Sequence, residues 1–100
     1  MDVDALFKAL ADPTRRQILL ELANRDGQTL YELCVKLIMV RKFDMSRQAI
    51  SKHLDALEEA NLIETTWDGR EKLHFINSDP LNKIQQWVKE LSKTGRRMRS

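Results

Sequence analysis

Apolar residues recur with helical spacing along the first part of the chain and then switch to alternation. Val3, Leu6, Phe7 and Leu10 stand at i, i+3, i+4 and i+7, the stripe of a short amphipathic helix. "ADPTRR" stops it. Asp12 suits the cap of a second helix, and Pro13 suits its first position, where a missing N–H loses no partner. Ile18, Leu19 and Leu22 form that helix's buried face, and "NRDGQ" breaks it at Gly27, a residue free to take a positive φ. Thr29 with Glu32 three residues on makes a capping-box pattern. Leu30, Leu33, Cys34, Leu37 and Ile38 continue along one face of the third helix.

"VRKFD" then reads as a loop or a frayed helix end, and Ser46 as the cap of a fourth helix. Its inward stripe is Ile50, Leu54 and Leu57, and Asn61 fits a left-handed residue at its end. Beyond it, "IETTWDGREKLHFIN" is two β-rich runs about Asp-Gly, a strong hairpin signal. "SDPLNKIQQWVKEL" repeats the Asp-Pro helix start, with Leu81, Ile84, Val88 and Leu91 on one face and Trp87 beside it. The predicted order is four helices, a hairpin and a last helix. It forms one domain over residues 1–95, followed by a basic, flexible tail at 96–100.

Composition narrows the class. One hundred residues suffice for one small core, and 42% hydrophobic with 32% charged residues is ordinary for a globular chain. The net charge of +2 leans only weakly towards an anionic partner, so the placement of charge matters more than its sum. Cys34 is the only cysteine, which excludes an internal disulfide and suits a reducing compartment. The start shows no basic-then-apolar leader, and the run Leu37 to Val40 is too short to span a bilayer. The expectation is a cytoplasmic protein with no membrane partner.

The third and fourth helices, joined by a polar connection, fit a helix-turn-helix whose second helix enters the major groove by its N-terminal residues. Arg47, Gln48, Ser51 and Lys52 lie at i, i+1, i+4 and i+5 at its start. Arg and Gln can pair bidentately with guanine or adenine edges, whereas Ser and Lys suit phosphate. Read alone, the four residues are equally well a solvated helix face. The hairpin that follows, with Arg70 at its tip and Lys72 beside it, shifts the balance: a reading helix followed by a charged hairpin is a winged helix, whose wing can touch backbone or minor groove. The predicted fold is therefore mainly α with a β-hairpin wing, a winged helix-turn-helix.

The stretches "LFKALADPTRRQILLEL", "TLYELCVKL" and "SRQAISKHLDALEEANLIE", followed by "DGREKLHFI", resemble the ArsR family of bacterial winged-helix repressors over nearly the whole chain. The resemblance implies a homodimer built from the first and last helices, bound as a repressor to a palindromic operator in double-stranded DNA. By motif position it places Ser46, Arg47, Gln48, Ser51, Lys52 and His53 on the recognition helix and Arg70 at the wing tip. Surplus apolar surface points the same way. Leu6, Phe7 and Leu10 on the first helix, with Leu81, Ile84, Trp87, Val88 and Leu91 on the last, exceed what one small core needs.

Two departures stand out. Metal-sensing members carry "ELCVCDL" in the third helix, whereas "ELCVKL" here has Lys36 in place of the second thiolate, and no histidine follows Asp79. A lone thiol beside an ammonium makes a poor soft-metal site, so no metal or cofactor is expected and Cys34 reads as a core residue. The second is "IMVRKFD", about half a dozen residues more than the family's usual tight turn. Either the third helix is longer, or a loop carries Arg41 and Lys42 towards phosphate. His53 suits a phosphate contact or a carbonyl cap, His74 a half-buried strand position, and Trp67 and Trp87 core and dimer packing.

Three rivals compete with this reading. Catalysis finds no support: Cys34 lies on an apolar stripe, and neither a Gly-rich phosphate loop nor a paired acid site is present. A winged helix used only to bind proteins would favour aromatic anchors over Arg47, Gln48 and Lys52. A metal- or thiol-responsive repressor would change only the effector.

Overall fold

The computed structural model describes residues 3–95, and the elements follow the predicted order. The proposed tail at 96–100 lies outside the described residues. Helix α1 (Val3–Leu10) and helix α2 (Pro13–Asn24) meet at the "ADPTRR" corner. Asp12 caps α2, its carboxylate accepting from the N–H groups of Thr14 and Arg15 at 2.8 and 3.2 Å. The two arginines reach back the other way. Arg15 Nε donates to the Ala9 carbonyl at 2.7 Å, and Arg16 Nη1 to that of Leu10 at 2.8 Å. One short segment thus satisfies orphan donors of one helix and orphan acceptors of its neighbour.

Helix α3 (Leu30–Cys34) opens with the expected capping box: Thr29 Oγ1 accepts from the Glu32 N–H, and the Glu32 carboxylate accepts from the Thr29 N–H. The extra residues that follow do not form a loop at once. The helix runs on as a π-helical extension, Val35–Val40, with the Arg41 N–H bonded to the Lys36 carbonyl five residues back. The wider winding keeps Leu37 wholly buried while Ile38 and Phe43 still pack against the core. It ends where Lys42 takes φ 62° and the Phe43 N–H reaches the Leu37 carbonyl.

Helix α4 (Arg47–Glu59) starts on Ser46, whose Oγ accepts from the Ala49 N–H at 3.1 Å. At its other end Asn61 takes φ 64°, the Asn61 N–H bonds the Glu58 carbonyl and the Leu62 N–H bonds that of Leu57. This is a Schellman cap, with Leu57 and Leu62 both buried in the core.

Strands β1 (Ile63–Asp68) and β2 (Glu71–Ile76) pair antiparallel from Ile63–Ile76 to Asp68–Glu71, with Gly69 at φ 64° in the turn. The wing's base is tied to the α2–α3 connection. His74 exchanges backbone hydrogen bonds with Gln28, and Asp26 Oδ1 accepts from the Ile76 N–H at 3.0 Å. Gly27, at φ 75°, leaves no room for a side chain, since a Cβ would lie 2.9 Å from Phe75 Cε2. His74 was expected half-buried; it is buried, and its Nδ1 also meets the Gln28 carbonyl at 2.8 Å.

Helix α5 (Asp79–Gly95) does not repeat the Asp12 cap: Asp79 lies in the first turn, and Asn77 Oδ1 accepts its N–H. The single core joins Leu6, Ile18, Leu22, Leu33, Leu37, Ile50, Leu57 and Ile63. The far half of α5 projects beyond it. The radius of gyration is 15.7 Å, against about 13 Å for a compact chain of this length.

Candidate nucleic-acid interface

Helix α4 separates its residues cleanly. Ile50, Leu54 and Leu57 are buried, while Arg47, Gln48 and Lys52 are exposed and Ser51 is half-exposed. Ser46 also stands exposed, with its hydroxyl engaged as the cap. The carboxylates of this helix, Asp55, Glu58 and Glu59, fall in the later turns, so its N-terminal end is cationic. His53 stands apart from this set. It is half-buried, with Nδ1 3.4 Å from Arg15 Nη1, and so faces the α1–α2 corner instead of the exposed side. There it acts on Asp12. Burial pushes that carboxyl up, but the N–H groups of Arg15 and Thr14, with the charges of His53 and Arg15, outweigh it and hold it below its usual range.

An open cleft of about 260 Å³ lies between α4 and the wing, bordered by Tyr31, Arg47, Ser51, Arg70 and Lys72. Glu58 fastens its two sides. Its carboxylate accepts from Thr65 Oγ1 at 2.9 Å and lies 3.5 Å from Lys72 Nζ. Lys72 is therefore partly neutralised and braces the wing, whereas Arg70 stands exposed at the turn.

Arg41 does not reach out of a loop. Its Nε lies 2.8 Å from Oε2 of buried Glu21. Burial drives the Glu21 carboxyl up, but hydrogen bonds from Arg41 and Gln17 and the charges of Arg41 and Lys36 more than offset it and keep the group lowered. Cys34 is half-buried against the core; burial raises its thiol pKa and the nearby Arg47 charge only partly opposes this. Among the described residues, no three His, Cys, Asp or Glu side chains gather into a metal-holding group.

A second face is apolar. Phe7 and Trp87 pack edge-to-face at 5.2 Å across α1 and α5, and both stay exposed, at 36% and 47%. Val88 and Leu91 extend the patch along α5. Leu10, Leu81 and Ile84 are half-buried behind it. Leu6 is a correction to the expected dimerisation set: it is wholly buried within its own core and offers no surface. Trp67 is another correction. It was expected in packing, yet it is 67% exposed on the outer part of β1. Sequence reasoning also missed Tyr31 at the cleft and the back-reaching pair Arg15 and Arg16. Only the proximity of "RR" to a helix end hinted at the latter.

A helix-turn-helix with an exposed, cation-led second helix and a hairpin beside it is a winged DNA-binding module. Residues 10–66 match the family model described as a helix-turn-helix domain. The chain is 45% identical over 86 residues to the HTH-type transcriptional regulator YuzN of Bacillus subtilis (strain 168), covering 85% of this chain and 94% of that protein. It is 30% identical over 83 residues to the transcriptional repressor SdpR of the same organism, covering 83% and 84%. Among solved structures, an ArsR-like transcriptional regulator from Rhodococcus sp. RHA1 superposes with a TM-score of 0.75 at 33% identity, covering 95% of this chain and 81% of that one. The chain belongs to the ArsR family of winged helix-turn-helix transcriptional regulators, which bind DNA and are not enzymes. Among the described residues no helix is long and apolar enough to cross a membrane.

Proposed function

We propose that this protein is a cytoplasmic, homodimeric repressor that reads a palindromic operator and acts by covering promoter DNA. The observation that carries the reading is the presence of two exposed faces of opposite character on one small fold: the polar α4–wing face and the apolar α1–α5 face. Arg47 and Gln48 read base edges in the major groove, while Ser51 and Lys52 hold phosphate. Ser46 caps the helix, and His53 steadies it against Arg15. Arg70 enters the flanking minor groove, and Lys72 sets the wing's angle through Glu58. Phe7, Trp87, Val88 and Leu91 meet their counterparts on a second copy. SdpR, named as a repressor, supports the direction of regulation.

A two-fold interface relates the two recognition helices by the same axis, so the half-sites are inverted repeats about 10 base pairs apart. Repression by occlusion then needs nothing beyond occupancy of the promoter. Footprinting on a site selected from random duplexes tests the whole reading. Two protected inverted half-sites are expected; direct repeats, or one half-site held by one protomer, would overturn it.

A further inference from the structure

We propose that Trp67 is a DNA-contacting residue: its indole packs against the deoxyribose–phosphate strand that borders the minor groove beside the wing. The inference deepens the DNA-binding reading above and rests on it.

The register of the hairpin sets where Trp67 points. Trp67 pairs with Lys72, and Thr65 pairs with His74, so these four side chains share one face of the wing. That face turns towards α4, because Thr65 and Lys72 both engage Glu58 and His74 is buried. The opposite face holds Phe75, seated on Gly27. Trp67 therefore continues the wall of the cleft outward, past the reach of Glu58 and towards Arg70. Its nearest neighbours on the same face, Thr65 and Lys72, are polar, so its 67% exposure is not continued by apolar side chains along that face of the wing.

An isolated indole suits a protein partner poorly, because such anchors work when ringed by contacts that exclude water. A nucleic-acid backbone needs no such ring. Deoxyribose presents a small apolar surface to the ring, the indole N–H is a donor able to meet a phosphate oxygen, and Arg70 supplies the neighbouring positive charge. The wing then makes a mixed contact, apolar from Trp67 and electrostatic from Arg70.

The chain has two tryptophans, so the difference between the parent and Trp67→Phe, excited where Tyr31 does not absorb, isolates the Trp67 signal and leaves the Phe7–Trp87 pair untouched. Titrating both full-length proteins with the selected operator duplex should shift that difference emission and lower its quenching by acrylamide severalfold. Trp67→Ala should weaken operator binding about tenfold, the order of one well-packed aromatic contact, with Trp67→Phe recovering most of it. The slope of affinity against salt should stay at the parent value in Trp67→Ala but fall by about one in Arg70→Ala. Unchanged emission and quenching on a duplex that the protein binds, with parental affinity in Trp67→Ala, would overturn the assignment while leaving DNA binding intact. A change of oligomeric state in Trp67→Ala without a change in affinity would reassign the residue to a protein contact. Failure of the parent to bind any duplex would remove the underlying reading with it.

Discussion

The polar α4–wing face and the apolar α1–α5 face are both exposed, yet they are built on opposite principles. On the first, each exposed cation sits over structure that is already satisfied. Ser46 and Asn61 close the ends of α4, Leu54 and Leu57 anchor it, and Glu58 ties it to the wing. Removing Arg47, Gln48 or Arg70 leaves the protomer's own contacts in place. On the second face, Phe7 and Trp87 complete one another only in part, and the outer half of α5 has little of its own protomer beneath it. One face spends its side chains on recognition and leans on a finished core. The other is core-like surface that a second copy would finish.

The largest effect should come from spoiling the apolar face. Trp87→Glu should separate the proposed dimer in sedimentation and lower operator affinity by on the order of 100-fold, since two linked half-sites gain roughly 10²–10⁴ over one. Its helical circular dichroism should match the parent's, because Trp87 is already half exposed in the protomer. A variant that remains dimeric would erase the contrast between the faces.

Gln48→Ala tests the polar face and should cost about 1–3 kcal/mol on the preferred operator while relaxing choice at particular base pairs. Lys52→Ala should instead weaken all duplexes alike and reduce the salt slope by about one. Binding-site selection with each variant reads the difference, and identical recovered motifs for Gln48→Ala and the parent would remove its assigned role.

The region joining α3 to α4 should respond in stability and not in recognition. Glu21→Ala removes the buried acceptor that Arg41 and Gln17 share and should cost about 1–3 kcal/mol in urea unfolding. The pH dependence has a defined sign. The folded Glu21 carboxyl titrates below its ordinary value of 4.5. Its stabilisation is therefore complete above that pH and is lost as pH falls through the lowered folded value. Glu21→Gln should flatten the acid limb of the stability profile; an unchanged limb would place the acid sensitivity elsewhere.

The smallest effect belongs to the same connection. Lys42 holds φ 62° with a full side chain. Lys42→Gly should relieve strain of about 1 kcal/mol and return part of it through a more flexible unfolded chain, leaving thermal stability unchanged or slightly raised. A marked loss would show that the Lys42 side chain itself holds the loop.

What the sequence by itself determined are the features satisfied within a few residues. Asp12 with the first turn of α2, Thr29 with Glu32, Ser46 with Ala49 and Asn61 at the end of α4 each find their partners inside one turn, so spacing alone exposes them. The apolar periods and the Asp-Gly turn are local in the same sense, and together they settle the order of elements and hence the winged fold. Tertiary structure decided whatever depends on partners distant along the chain. His53 looked like one more recognition-helix residue until Arg15 came beside it from α2. Arg41 read equally as a loop cation until the π-helical extension brought it to Glu21, and His74 is buried beside a strand-like contact with Gln28. Leu6 and Phe7 are neighbours on one stripe, and periodicity treats them alike. Only the assembled protomer shows that Leu6 fills its own core and Phe7 turns outward, because a helical stripe records which side is apolar and not what covers it.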